Sequence, residues 1–234
     1  MSEPPLPSST VTGGVHPSRE GLDRELRSIK DAVLRMGSLV ERQIMAALQA
    51  LIDHDAAAAE AVVRGDAAVN EAQRAAEAMI VQTIALQQPV ARDLRFLLAL
   101  DRVTYELERI GDHAGSVAKQ ARKLAPFAPL EGYLGLPAMA RLAAELVHGV
   151  LLALVDIDDA KARDVAARDD EIDALYHATF DALLDLMRQD PRNVDPGARI
   201  LFATHYLERI GDRVTNIAED VVFLATARVE DLND

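Results

Sequence analysis

The feature that most constrains the fold is an internal repeat. The six residues Leu107–Asp112 recur unchanged as Leu207–Asp212, at an offset of 100 residues. The downstream flanks agree, because Val117-Ala118 is matched by Ile217-Ala218. Coincidence does not readily produce such a match, so the repeat predicts a duplicated helical bundle.

Proline positions mark where long helices can run, because proline is excluded from helix interiors. No proline lies between Pro17 and Pro89, and none follows Pro196. Within the first proline-free span, apolar residues recur at intervals of three and four, which is the pattern of an amphipathic helix. These residues are Leu22, Leu26, Ile29, Val33, Met36, Val40, Ile44, Ala47 and Leu51. Helix breaks or caps are expected at Asp53–Asp55, Gln88-Pro89, Asp156–Asp159 and Asp190–Pro196.

We therefore predict an all-α protein with six long helices in two tandem three-helix bundles. The predicted first bundle covers residues 20–127 and the second covers 128–229, with a hinge from Pro126 to Leu136. The proline-rich residues 1–19 are expected to form a disordered tail, and residues 230–234 a second tail.

Composition excludes several functions. There are 38 acidic and 25 basic residues, so the formal net charge of −13 opposes binding to nucleic acid or to an anionic membrane. The absence of cysteine excludes thiolate metal sites and cysteine nucleophiles. The first residues lack the pattern of a signal peptide, and uncharged stretches such as Ala78 to Ala91 are expected to be too short or too polar to span a bilayer. We expect a soluble, cytoplasmic protein.

An acidic pair stands in each repeat, on the side of its helix away from the apolar stripe. At about 100° per residue, Glu108 and Asp112 lie opposite one stripe, and Glu208 and Asp212 lie opposite the other. Residues at i and i+4 have Cβ atoms roughly 5–6 Å apart, so two like charges there repel. A divalent or trivalent cation would turn that repulsion into attraction, and oxygen ligands suit Fe, Mn, Mg and Ca as well as Zn.

A cation site needs more ligands than one pair supplies, and the preceding helix of each half offers them. In the second half these are Asp169 and Asp173, which lie on the flank of their helix stripe. In the first half the corresponding residues are Asp66 and Asn70. Because Asn70 is neutral, we expect the first site to be weaker than the second.

Two simpler explanations of the acidic pairs stay open. An acidic pair on a polar face is most often part of a solvated surface. Gly111 and Gly211 stand between the acids of each pair, although glycine inside a helix costs about 1 kcal/mol relative to alanine. Their repetition indicates that something approaches the backbone there, and a close helix crossing would explain this as well as a ligand would.

Other candidate residues are weaker. Glu145-x-x-His148 has the spacing of a di-iron carboxylate bundle, but it occurs once and without a mate. Arg92, Arg95 and Arg102 form a local basic run, which we interpret as a solvated face with a partner-docking patch as the second choice.

The sequence resembles the PhoU family of phosphate-uptake regulators. The resemblance covers roughly residues 20–228 and rests on Leu107–Asp112, on Leu207–Asp212 with Asn216–Glu219, on Gln87–Arg95, and on the two upstream acid motifs. It implies tandem three-helix bundles and metal clusters on the bundle surface, of Fe or Zn or alternatively of Mg or Mn. The implied ligands are Glu108, Asp112, Glu208, Asp212, Asp66, Asn70, Asp169 and Asp173.

The resemblance also implies a non-enzymatic, cytoplasmic adaptor that restrains phosphate uptake and phosphate-starvation signalling. The implied partners are the ATPase subunit of a phosphate ABC transporter, a sensor histidine kinase and a second copy of the chain. Contact with the membrane would be indirect, through these partners. Two alternatives are a metal-dependent hydrolase or di-iron oxidase built on a bundle, and a helical scaffold without metal.

Overall fold

A computed structural model describes residues 19–130 and 135–232, and within these ranges the chain is helical with no strand. The predicted all-α class is therefore confirmed. A single 3₁₀ turn, Pro191–Asn193, precedes the last helix. The helices are α1 (Arg19–Ile52), α2 (Ala56–Gln87), α3 (Ala91–Leu124), α4 (Leu136–Asp156), α5 (Asp159–Ala166), α6 (Asp169–Gln189) and α7 (Val194–Thr226).

The tight turns that fold α2 back on α1 and α5 back on α4 have the same construction. Asp55 and Asp158 each accept hydrogen bonds from backbone N–H groups in the first turn of the helix that follows. The preceding residues, His54 and Ile157, both have a left-handed backbone with φ of 52°. A carboxylate cap satisfies amide groups that have no partner within the helix. Both predicted cap clusters are thereby confirmed, and they lie 103 residues apart.

Helix boundaries differ from the prediction in one place. The predicted fifth helix is two helices, because the chain bends between the end of α5 and the start of α6. Arg168 lies in this bend and contacts Glu145 of α4 and Glu171 of α6. The predicted hinge includes residues 131–134, and the predicted tails include 1–18 and 233–234, all of which lie outside the described residues. The domain boundaries at 20, 127 and 229 stay predictions.

The most extensive packing between two helices joins α3 to α7, and so joins the two halves. The helices are antiparallel, because residues later in α3 contact residues earlier in α7. Arg102 pairs with Asp220, whereas His113 stacks on Tyr206. Each residue of α3 has its repeat equivalent 100 residues later in α7. Because the two equivalent helices pack antiparallel, an approximate two-fold axis near Ile110 relates them.

Helix α4 is the segment of the described residues that bears on a membrane span. By length and composition it is apolar enough to cross a membrane, with a mean hydropathy of 1.7. However, 56% of its apolar window is buried inside the molecule, where the helix packs against α7, α1 and α5. Such burial is typical of a core helix, so hydropathy alone is weak evidence of a membrane span here.

Gly37 tests the packing between the halves where α1 meets α4. A Cβ at Gly37 of α1 would lie 2.1 Å from Cδ1 of Leu151 on α4, and Leu151 is buried. We expect Gly37→Ala to lower the free energy of unfolding by about 1–3 kcal/mol, because the buried leucine cannot move aside without strain.

The matched control is Gly65→Ala on α2, where a Cβ would meet nothing within 4 Å. This substitution should raise the free energy of unfolding by about 0.5–1 kcal/mol through helix propensity. Urea unfolding followed by circular dichroism measures both. Equal effects of the two substitutions would contradict the close α1–α4 contact.

Candidate metal centre

The structure brings the acids of the second half together where α6 begins against the middle of α7. We call Asp169, Asp173, Glu208 and Asp212 the second cluster. Three of them, Asp169, Asp173 and Asp212, border a cleft of about 530 Å³ that is lined mostly by charged side chains. Arg209 and Arg213 line the same cleft, and Nη1 of Arg209 lies 2.6 Å from Oδ2 of Asp212.

Asp169 is the central residue of the second cluster. Its Oδ1 atom is buried and has no hydrogen-bond partner, while Oδ2 accepts one long bond of 3.4 Å from the Thr215 hydroxyl. Burial, reinforced by the charges of Asp173 and Asp212, raises the pKa of Asp169 to about 7. At neutral pH this carboxylate therefore lacks the partners that would stabilise its charge.

The same carboxylate explains the glycine of the repeat. A Cβ at Gly211 would lie 2.0 Å from Oδ1 of Asp169, so only glycine lets α6 and its aspartate approach α7 this closely. For this glycine the sequence left two explanations open, a close helix crossing and a ligand. The helix crossing is present. The group that crosses is itself a candidate ligand.

Other acids of the second cluster also lack hydrogen-bond donors or cations that would stabilise their charge. Burial raises the pKa values of Glu208 and Asp173, and in both cases the charge of Asp212 adds to the effect. Oε2 of Glu208 is buried without a hydrogen bond and lies 3.4 Å from Nδ1 of His205. Four acids thus meet one arginine and one histidine at close range.

The first half builds a different arrangement from the equivalent helices. We call Asp66, Asn70, Glu108 and Asp112 the first cluster, with the first two on α2 and the others on α3. Oδ2 of Asp66 accepts a hydrogen bond from Asn70 at 3.1 Å, and Oδ1 accepts one from Gln43 of α1 at 3.2 Å. Burial raises the pKa values of Glu108 and Asp112, while Arg109 opposes the shift in both.

Sequence reasoning missed two of these contacts, those of Gln43 and Thr215. Gln43 is buried beside the apolar stripe of α1, and a buried amide there is itself a signal of a polar contact. Thr215 stands where the first half has Gly115, so aligning the halves would have drawn attention to it.

The donor set of the second cluster fits a cation that prefers oxygen ligands. Its four carboxylates converge from two helices, and the buried oxygens of Asp169 and Glu208 lack donors. Among the residues that the structure describes, no three histidine or carboxylate side chains converge tightly enough to hold an ion as they stand. The chemistry therefore fits, and metal binding by either cluster stays a prediction.

Other candidate residues lie apart from the two clusters. His148 contacts Glu41, whereas Glu145 contacts Arg168, so the two do not converge on one point. His113 stacks on Tyr206, and burial lowers its pKa to about 4.

Of the basic run, Arg102 makes contacts within the molecule although its side chain is half exposed. It pairs with the buried Asp220 and lies over the ring of Phe223. Arg92 is exposed and Arg95 is partly buried. A docking role for these three arginines stays a prediction.

Comparison with known proteins identifies one family over both halves. The PhoU domain family matches residues 33–121 and 136–221. A curated relative from Clostridium acetobutylicum, named phosphate-specific transport system accessory protein PhoU homolog, is 35% identical and covers 93% of this chain and 100% of its own length. A relative of the same name from Xylella fastidiosa strain Temecula1 is 39% identical, covering 86% of this chain and 84% of its own.

Solved structures agree with the fold. PhoU from Pseudomonas aeruginosa superposes with a TM-score of 0.84 at 34% identity, covering 88% of this chain and 100% of its own. The phosphate transport system regulatory protein PhoU from Streptococcus pneumoniae superposes with a TM-score of 0.83 at 31% identity, covering 90% and 99%.

The raised pKa of Asp169 predicts how stability depends on pH in protein treated with a chelator. Because the folded pKa of about 7 exceeds the usual value of 3.8, folding favours the protonated form, and stability falls as pH rises from about 4 to about 7. Asp169→Asn removes this cost. We expect it to raise the free energy of unfolding at pH 8 by about 1–2 kcal/mol, an amount discounted for water that still reaches the side chain.

Urea unfolding between pH 4 and pH 8 measures this effect. The control is Asp181→Asn, at an exposed position on the same helix, which should keep the pH profile of the wild type. An Asp169→Asn profile that parallels the wild type would show that this aspartate is not the group responsible.

Proposed function

The chain belongs to the PhoU family, and from that membership we propose that it is an accessory regulator that restrains phosphate uptake. The observation that carries the proposal is the match of both halves to the PhoU domain, with relatives similar along almost their whole length. Those relatives are named as accessory proteins of a phosphate-specific transport system.

In the proposed mechanism the protein is a cytoplasmic adaptor rather than a catalyst. It would link the ATPase subunit of a phosphate ABC transporter to a sensor histidine kinase, acting as a homodimer and contacting the membrane only through these partners. The net charge of −13 suits basic docking surfaces on such partners. The two helical halves are joined along α3 and α7.

We further propose that a cation, Fe or Zn or alternatively Mg or Mn, binds at the second cluster. Asp169, Asp173, Glu208 and Asp212 would hold it in the second half. A bound cation would neutralise their mutual repulsion and connect α6 to α7. The unpartnered oxygen of Asp169 supports this proposal, because a buried carboxylate oxygen without a donor is costly to leave unsatisfied.

An enzymatic function has less support. The hydrolase and di-iron oxidase alternatives need mixed histidine and carboxylate ligands that converge inside the bundle. Within the described part of the chain, Glu145 and His148 diverge, and His205 is the histidine in contact with a carboxylate of either cluster. The names of the relatives also describe accessory or regulatory proteins.

Thermal unfolding with added metal ions tests the cation proposal. Protein treated with a chelator should show a higher Tm when Fe²⁺, Zn²⁺, Mn²⁺ or Mg²⁺ is added, because an ion that binds only the folded state stabilises it. At 100 times its Kd the ion would contribute about 2.7 kcal/mol, equivalent to several degrees. The matched control is protein with Asp181→Asn, which should respond as the wild type does. No rise in Tm with any of the four ions would refute this part.

Gene deletion tests the regulatory function separately. In medium rich in phosphate, cells that lack the gene should take up labelled phosphate faster and should express phosphate-starvation genes. A copy of the wild-type gene should restore both readouts, and the Asp181→Asn copy should do so equally well. Uptake and expression that are unchanged by the deletion would contradict the proposed restraint, whatever the metal content of the protein.

A further inference from the structure

The two acid clusters are equivalent by repeat but differ in what contacts their central aspartate. In the first cluster both oxygens of Asp66 accept hydrogen bonds from amide groups, those of Gln43 and Asn70. In the second cluster one oxygen of Asp169 accepts a long bond from Thr215, and the other is buried with no partner. The protein thus supplies hydrogen bonds to both oxygens of Asp66, but to only one oxygen of Asp169.

The difference follows from two substitutions between the halves. The capping residues Asp55 and Asp158 lie 103 residues apart, and the same offset relates Asp66 to Asp169. By this offset, Gln43 of the first half is equivalent to Leu146 of the second, and Asn70 is equivalent to Asp173. The second half therefore has an apolar side chain and an additional carboxylate where the first half has the two amide donors.

Amide donors compete with a cation for the same carboxylate oxygens. Gln43 and Asn70 present N–H groups, which carry partial positive charge, to Asp66. Gln43 is 8% exposed, so moving its amide away from Asp66 would leave a polar group buried without its partner. The charge is lower as well, because the first cluster has three carboxylates and the second has four. Each cluster also has one arginine beside its last acid, Arg109 at 3.6 Å from Asp112 and Arg209 at 2.6 Å from Asp212, so this contact does not distinguish the clusters.

We infer that the first cluster does not hold a metal ion. It is a hydrogen-bonded cluster in which Gln43 and Asn70 take the place of a cation, and ion binding is confined to the second cluster. The protein then carries one half that responds to metal ions and one half that is stable without them. Only the statement about the second cluster rests on the proposed function.

Ion stoichiometry tests where binding occurs. Chelator-treated protein is dialysed against Mn²⁺ or Zn²⁺, each alone, and bound metal per chain is measured by elemental analysis. Glu208→Gln with Asp212→Asn should weaken binding at least tenfold. The matched pair in the first half, Glu108→Gln with Asp112→Asn, should leave stoichiometry and affinity unchanged. Equal loss of metal in both variants would overturn the inference.

A conversion variant tests the role of the two amides. Gln43→Leu with Asn70→Asp gives the first cluster the second cluster's residues at these two positions, and the bound metal per chain should rise above the wild-type value. The single Gln43→Leu variant should not bind less metal than the wild type. A decrease would mean that the amide oxygen of Gln43 holds an ion, which would overturn the inference.

Unfolding in the presence of a chelator separates this inference from the proposed function. Without metal, Asn70→Asp should lower Tm by about 2–4 °C, because Asp66 loses a donor and gains a like charge. The matched Asp173→Asn in the second half should raise Tm. If wild-type protein binds no ion but these shifts occur, the metal proposal fails and the hydrogen-bonded cluster stands. If Asn70→Asp leaves Tm unchanged, the inference fails even if the second cluster binds metal.

Discussion

The antiparallel packing of α3 against α7 is the constraint on which the rest of the molecule depends. These helices carry the repeated motif, so their contact joins the halves and determines which of their faces stay outside. Asp220 is almost fully buried in this contact and is compensated by Arg102. A paired charge of this kind defines the register more than it adds stability, because desolvation offsets much of the attraction.

Much of the fold could be predicted because its signals are local. Proline-free spans, apolar spacing and the aspartate caps each depend on neighbouring residues, and Asp55 and Asp158 cap helices as expected. The bend between α5 and α6 carries neither proline nor glycine. Arg168 in this bend contacts Glu145, 23 residues earlier in the chain, and a contact between helices leaves no local pattern.

Prediction of the site reached a similar limit. Helical periodicity placed the acids on outward faces, and the repeat indicated which helix would supply the additional carboxylates. Periodicity does not show how each carboxylate is compensated. That depends on Gln43 meeting Asp66 across α1 and α2, and on Asp169 meeting the backbone of Gly211. The charge of a cluster can be read from sequence, whereas the donors that balance it require the tertiary structure.

The approximate two-fold axis between α3 and α7 has a consequence for recognition. The axis relates the ion pair of Glu106 with Arg213 to the aromatic contact of Tyr206 with His113. An ion pair on one side of the axis therefore occupies the position that an aromatic contact has on the other. A body with two identical edges could be engaged in two orientations of equal energy. Here the two sides differ, so the two orientations are not equal in energy. A ligand that distinguishes an ion pair from an aromatic contact would bind in one orientation.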